Sequence, residues 1–412
     1  MDRILVCTYT LLFLKGSMPK KIVLIEPEYE RYQFNYLPQG LLSLAGSLRC
    51  KLFDIEIVTS EPIPRCDVLG ISATTGQYNS AVSLARSARD RAGIIVLGGA
   101  HVTTVPAEAM KGRVFDFGIV GDGEDAFVSL CMGNDPREIP GLIYRNAGML
   151  VMNPNLDIEY GFRSTTLPQP AYDLYRGEIG KFVNVYRNRE WSWRYGWKRK
   201  NRPKWWRSFS IEMNTLKDLG VESVFVTDEN FGCWHSSIAT TISALDIFKS
   251  WHCRSSISNV LGKRLDQKLR SSKCRSIEID CLSGNGRVLD KFGSHSIEDA
   301  NLAIELLEGI GIDIILNVTI GLPGETINSM MDTWRLISGK KARVSTLSPW
   351  PGSTFYEQVE KYAEFGFNVR ALNWYSFDAD ASQDLPWSMN TIKPLDFLDI
   401  RCKMKQGVEP WQ

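Results

Sequence analysis

The chain has 412 residues and no closely spaced cysteines. Its nine cysteines stand at positions 7, 50, 66, 131, 233, 253, 274, 281 and 402, and no two lie nearer to each other than Cys274 and Cys281. That scatter excludes a centre drawing three thiolates from one loop, and it offers no disulfide framework. A reducing compartment, the cytoplasm, is the expected location. A long apolar run is missing too: the stretch at 4–14 is too short to span a bilayer and lacks a small-residue cleavage pattern. Nor is charge of one sign in excess. Lys and Arg number 48 against 47 Asp and Glu, a net of +1, so nucleic acid is not the expected partner and any basic patch is local.

What is present is alternation of short apolar runs with amphipathic stretches, the pattern of parallel β-α units. In the first half it predicts strands at 22–25, 55–59, 68–71, 94–97 and 117–120, with helices at about 39–49, 80–91 and 124–131. Five strands with intervening helices predict a doubly wound, Rossmann-like α/β sheet, whose ligand lies beyond the carboxyl ends of the strands. The segment 1–17 reads as an extension ahead of a start at Met18, and the Pro-rich LPQPAYDLY at 167–175 reads as a connection. Alternation resumes in SVFVTDENFG at 223–232, SIEIDCLSGN at 276–285, DIILNVTIGLPGET at 313–326 and ARVSTLSPWPGST at 342–354. Polar and glycine-rich residues follow each strand, as at the C-terminal rim of a parallel barrel. The expected division is 18–155, a connecting and altered region at 156–204, a partial barrel at 205–355, and a tail at 356–412 holding one amphipathic helix and then irregular chain.

Three loops at successive strand ends in the first half combine glycine with hydroxyl groups: GISATT at 70–75, LGGAH at 97–101 and VGDGED at 120–125. Glycine lets backbone N–H groups approach a ligand, and Ser or Thr can bond an amide or phosphate. Each loop alone is equally an ordinary turn. Together they point to a bound cofactor.

With YLPQGLLSLAGSLR, IIVLGGAHVTTVPAEAM and FDFGIVGDGEDAF, these loops resemble the cobalamin-binding domain found ahead of radical S-adenosylmethionine (SAM) barrels. The four later segments resemble the partial radical SAM barrel itself. The resemblance implies that Ser72, Thr74, Thr75, Gly98, Gly99, His101, Gly121, Gly123 and Glu124 line a corrin. The Asp-x-His-x-x-Gly cobalt-ligand motif is absent, so His101 reads as a hydrogen-bonding or packing residue. By the same resemblance Asp228, Glu229 and Asn230 face the methionyl end of SAM, Ser283 the ribose, and Gly321, Pro323, Gly324 and Glu325 the adenine. The turn GLPGET is also a good helix start in its own right. No catalytic residue and no protein metal ligand is assigned.

Two departures stand out. The family carries Cys-x-x-x-Cys-x-x-Cys for a 4Fe-4S cluster, whereas the corresponding stretch, RNREWSWRYGWKRKNRPKWWR at 187–207, has nine Arg or Lys, five Trp, one acid and no cysteine. The family also has a glutamate before the serine of SIEIDCLSGN, where Leu282 stands here. An intact relative would transfer a methyl group to carbon or drive a cyclisation through a 5′-deoxyadenosyl radical. For this chain the alternatives are a corrinoid- or SAM-binding protein without radical chemistry, a nonfunctional or frameshifted homologue, and an RNA-binding or RNA-modifying protein using the basic, Trp-rich stretch. Pairs such as Cys233 with His235 or His252 with Cys253 have no usual zinc spacing. Without the cluster iron, the methionyl amine and carboxylate need other partners, and 187–207 offers cations but only Glu190 as an anion. SAM is therefore expected to bind weakly, through its adenosine end. The substrate is an unidentified small molecule.

Overall fold

The computed structural model describes residues 21–27, 36–49, 53–154, 167–189, 202–233, 238–292, 295–369, 385 and 387–407. The extension 1–17, Glu190, His235 and the tryptophans at 191, 193 and 197 lie outside the described residues. The described residues divide into two compact units, the first running to Ile179 and the second beginning at Gly180.

The first unit is built on a seven-stranded sheet: β1 (Lys21–Ile25), β2 (Asp54–Val58), β3 (Cys66–Ser72), β4 (Ala92–Gly98), β5 (Phe117–Ile119), β6 (Leu142–Asn146) and β7 (Met149–Met152). The order is β2-β1-β3-β4-β5-β6-β7. The first five strands are parallel, and the hairpin β6–β7 closes one side antiparallel. Ile22, Val23, Leu24 and Ile25 of β1 are all buried, as the apolar run KIVLI requires of a strand covered on both faces. Helices Gln39–Leu48, Tyr78–Ser87 and Glu124–Cys131 occupy the expected stretches. Since β1 is flanked by β2 on one side and β3 on the other, the order reverses there and opens a crevice at the strand ends. The Pro-rich stretch at 167–175 packs within this unit: Ala171 N–H donates to Leu42 O at 3.0 Å, and Tyr175 bridges to Ile57.

The second unit holds β8 (Phe182–Val185), a short antiparallel pair of β9 (Asn188–Arg189) with β10 (Arg202–Pro203), and then β11 (Ser223–Val226), β12 (Ser250–Ser256), β13 (Cys274–Leu282), β14 (Asp313–Ile320) and β15 (Ala342–Thr346). Six strands form one parallel sheet in the order β8-β11-β12-β13-β14-β15, each beside the next along the chain, which is half of a β/α barrel. Two of these strands were not expected. β8 has a polar residue, Asn184, inside its four-residue run, and β12 reads SWHCRSS, with no apolar run at all. In β12 the alternation buries Trp251, Cys253 and Ser255 on one face. His252 points to the other, so His252 and Cys253 cannot share a metal.

The tail departs from the expectation of irregular chain. β16 (Phe367–Val369) pairs with β17 (Trp387–Met389), and a helix runs over Pro394–Gln406. Its buried residues are Phe397 and Met404, one per two turns, too sparse a stripe to show as periodicity. Pro394 at the first helical position sets the starting φ.

Candidate functional sites

In the first unit, the strand ends carry one continuous hydrogen-bond network. Thr74 donates its N–H (2.9 Å) and hydroxyl (2.8 Å) to Gln77 Oε1, and Gln77 Nε2 donates to Glu26 Oε1 (3.1 Å) and Pro27 O (2.7 Å). Ends of β1 and β3 are thereby tied across the crevice. Burial raises the Glu26 carboxyl above its usual range, with the Gln77 amide pulling the other way. Glu26 and Gln77 were not singled out from sequence. The signal was present, since Glu26 follows the apolar run of β1 directly.

The remaining expected residues fall into distinct roles. Thr75 Oγ1 lies 3.3 Å from His101 Nδ1, and the His101 ring stacks at 4.1 Å on Tyr78. His101 is fully buried, and that burial pushes its imidazole down to about 4, leaving it neutral at ordinary pH. It meets the strand-end loop through Thr75. Gly99 has φ +95, and an added Cβ would sit 2.7 Å from the backbone N and O of Ala73, so only glycine fits between Ser72 and the start of the next helix. Gly121, at φ +92, donates its N–H to Thr103 Oγ1 at 3.1 Å. Glu124 opens its helix and accepts a hydrogen bond from Ser43 at 2.8 Å, both groups buried. Gly98 and Gly123 differ: the nearest atoms to an added Cβ are 3.9 Å away, so the internal packing does not demand glycine there. Two glycines whose surroundings leave room for a Cβ thus stand in the strand-end loops that also carry the polar network.

In the second unit, the strand-end residues are more occupied. Asp228 is buried and its Oδ1 accepts the N–H groups of Arg187 (2.7 Å) and Asn188 (3.0 Å), which fixes the beginning of the 187–207 stretch. Asn230 Oδ1 accepts Ser256 N–H at 3.0 Å and joins the ends of β11 and β12. Glu229 between them is half-buried. Ser283 is fully buried, with its hydroxyl 3.1 Å from Thr333 Oγ1 and accepting Asn285 N–H at 3.2 Å. Leu282 before it has φ +56 at an irregularity in the β13–β14 register, a left-handed conformation unfavourable for a branched residue.

The turn after β14 is held from inside. Glu325 Oε2 accepts Gly321 N–H (2.7 Å) and Leu322 N–H (3.1 Å), with Pro323 buried and Gly324 half-buried between. Burial pushes Glu325 up to about 8, although these two N–H groups pull it down. Its Oε1 has no partner among the described residues. From the tail, Trp387 packs against Gly321 where a Cβ would come within 2.2 Å, and Thr391 donates to Glu325 O at 2.5 Å. Indole and hydroxyl thus lock the turn from the C-terminal segment.

Arg187, Asn188 and Lys204 of the 187–207 stretch are interior. Lys204 is buried with its Nζ 2.5 Å from Glu212 Oε2 and 3.7 Å over the Tyr186 ring. Arg187 is buried as well and donates to Lys204 O; burial lowers its guanidinium, opposed by Asp228 and Cys233. The nearby thiol is Cys233, 3.8 Å from Asn188 Nδ2. Among the described residues no three His, Cys, Asp or Glu side chains converge as a metal site. Burial raises the Cys253 thiol, and it raises the Cys281 thiol to about 12. Buried cations and one thiol do not fit a cluster that needs three thiolates. Trp205 and Trp206 are exposed, with Arg207 5.3 and 5.2 Å from their rings.

A further polar group lies on the face of the second sheet opposite its helices. Arg254, Glu278, Asp280, Asn317 and Arg343 come from four neighbouring strands, at register positions Arg254 with Glu278, Asp280 with Asn317, and Asn317 with Arg343. It too was overlooked in the sequence. Alternation in SIEIDCL, with Ile277, Ile279 and Cys281 fully buried, was the available sign that Glu278 and Asp280 share the other face.

Comparison with known proteins agrees with this architecture. The B12 binding domain family matches residues 31–131. No curated protein matches the chain. Among solved structures, the radical SAM methyltransferase TsrM from Kitasatospora setae, with cobalamin and a 4Fe-4S cluster bound, is similar at 16% identity and a TM-score of 0.69, over 86% of this chain and 81% of that one. The same enzyme with tryptophan substrate and a SAM analogue gives 15% identity and 0.71, over 95% and 89%. The cobalamin-dependent SAM radical enzyme OxsB with aqua-cobalamin gives 14% and 0.61, over 87% of this chain but 57% of that one. The fold is that of a B12-binding domain followed by a radical SAM half-barrel. Among the described residues, no helix is long and apolar enough to cross a membrane.

Proposed function

We propose that the chain is a cobalamin-binding protein of the radical SAM fold that handles a small molecule in its half-barrel and does so without a conventional 4Fe-4S cluster. The observation that carries this reading is the strand-end crevice of the first unit. There Thr74, Gln77 and Glu26 form a polar edge, Gly98 and Gly123 leave space, and the segment lies within or beside the B12-binding match at 31–131. When bound, cobalamin supplies carbon-to-cobalt chemistry.

The protein's own part is to bind, orient and exclude water. Thr74, Thr75, Ser72 and the backbone near Gly98, Gly99 and Gly121 would meet the amide-bearing rim of the corrin, with His101 and Glu124 bracing those loops from inside. In the half-barrel the turn at 321–325, held by Glu325 and Trp387, would form a wall for the adenine of SAM. Ser283 would contribute through the loop it braces, since its hydroxyl is engaged with Thr333. Asp228 and Asn230 would act likewise, as anchors around Glu229. A cytoplasmic location is supported by the spacing of the nine cysteines, which offers no disulfide framework.

Full-length protein mixed with hydroxocobalamin and passed through gel filtration should carry corrin absorbance with the protein peak. A folded protein that elutes without corrin would sink the reading.

A further inference from the structure

Arg254 and Arg343 grip one carboxylate between them. Arg254 donates Nε–H (2.8 Å) and Nη2–H (2.6 Å) to Glu278 Oε2, and Arg343 Nη2 lies 3.2 Å from Glu278 Oε1. Glu278 is 1% exposed. Burial alone would raise its carboxyl, but the two guanidinium groups outweigh burial and hold it below the usual range. Asn317 Nδ2 donates to the same Glu278 Oε2 at 3.3 Å and to Asp280 Oδ1 at 3.2 Å, which fixes the orientation of its amide.

Besides Glu278 Oε1, which Arg343 meets as an ion pair only, two polar atoms of this group are left over. Arg254 Nη1 makes no hydrogen bond among the described residues, although the side chain is only 26% exposed. Asn317 Oδ1 is buried and also has no partner among them. One is a charged donor. The other is an acceptor on an amide that bonds two carboxylates, Glu278 and Asp280, and Asp280 and Glu229 act on Arg254 as well. Arg254 and Asn317 both donate to Glu278 Oε2, so the open cationic donor and the open acceptor belong to side chains that meet at one oxygen. A buried acceptor left unmade is expensive, and water or a ligand must complete it, while the open guanidinium N–H groups are half-exposed and reachable by the same ligand.

We infer that Arg254 Nη1 and Asn317 Oδ1 form a subsite for an α-amino-acid zwitterion, the carboxylate on the guanidinium and the ammonium on the amide oxygen, with Asp280 and Glu229 favouring the ammonium. The inference rests on the half-barrel being a ligand site. It also supplies an anionic side for the amine, which the 187–207 stretch offers only in Glu190. The same chemistry has two sources, the methionyl end of SAM and a free amino acid.

Calorimetry on the full-length protein separates them, using SAM, 5′-methylthioadenosine (the same nucleoside without the amino-acid group) and the common protein amino acids. If the source is SAM, it binds at least about tenfold more tightly than methylthioadenosine. Arg254→Met and Asn317→Leu then bring SAM down to the level of the nucleoside, and Arg254→Lys restores part of the difference. If the source is free, one amino acid binds, its methyl ester does not, and the same two variants abolish binding. Asn317→Leu keeps both ion pairs to Glu278, so it serves if Arg254→Met fails to fold. Amino-acid binding with no nucleoside binding would refute the adenine site and uphold this subsite. SAM equal to methylthioadenosine, with no amino acid bound, overturns the subsite and leaves the adenine site standing. Wild-type affinity in a folded Asn317→Leu variant also overturns it.

Discussion

Lys204 Nζ lies 2.5 Å from Glu212 Oε2, and both side chains are buried. Lys204 belongs to the Arg- and Trp-rich stretch at 187–207, whereas Glu212 lies on the helix Trp206–Asp218 that follows it. A residue of the altered stretch therefore meets a complementary partner in the flanking fold. Removing one partner of a buried ion pair leaves the other charge uncompensated and costs about 3–5 kcal/mol, whereas an apolar pair of similar volume is about neutral. Lys204→Met is accordingly expected to lower the urea midpoint sharply, and Lys204→Met with Glu212→Leu to recover most of it. Equal losses in the single and double variants would mean that the contact is not made.

Gly98 and Gly99 should respond oppositely to alanine. At Gly99 the positive φ and the 2.7 Å approach to Ala73 make Gly99→Ala destabilising by about 2 kcal/mol or more. At Gly98 the nearest atom to a new Cβ is 3.9 Å away, so Gly98→Ala should fold normally. Its corrin retention should nevertheless fall, because the added methyl occupies the space proposed for the ligand. Thermal melts and corrin absorbance on the two variants check this, and unchanged retention in Gly98→Ala would place the corrin elsewhere.

Glu325 gives stability a definite pH slope. Its carboxyl stands at about 8 in the folded chain against a usual 4.5, so the folded state holds a proton that the unfolded state releases. The sign follows: this contribution is complete below about pH 4.5 and is lost as pH rises toward 8, by at most about 1.4 kcal/mol per pH unit. Above that the slope vanishes. Glu325→Gln keeps the shape but has no proton to lose. Urea melts between these limits should show the variant's stability falling less than that of the wild type, and parallel curves would contradict the burial argument.

Much of the first sheet was legible because its strands are buried on both faces and read as apolar runs, with glycine and hydroxyl loops marking their ends. The half-barrel was less so. Its inner face is polar, and β12 offers Trp251, Cys253 and Ser255 to the core instead of a Val, Ile or Leu run. For the same reason Arg254, Glu278 and Asn317 passed unnoticed: each is isolated in sequence and meets the others through strand register alone. Spacing pointed to Ser283, while tertiary packing turned its hydroxyl toward Thr333, 50 positions away.

Iron should not assemble on this chain in the usual stoichiometry. The described thiols are dispersed and mostly buried, and the side chains at the base of the substituted stretch are cations. Anaerobic reconstitution with iron and sulfide is expected to give substoichiometric iron and no reduced-cluster resonance in electron paramagnetic spectra. A full cluster per chain would make Cys233 the first ligand to test.

Corrin retention bears most directly on the central claim. Full-length protein incubated with excess hydroxocobalamin, desalted and run through gel filtration should show corrin absorbance at about one equivalent per chain, reduced in Gly98→Ala. Wild-type protein that melts cooperatively and elutes with no corrin absorbance would contradict the account.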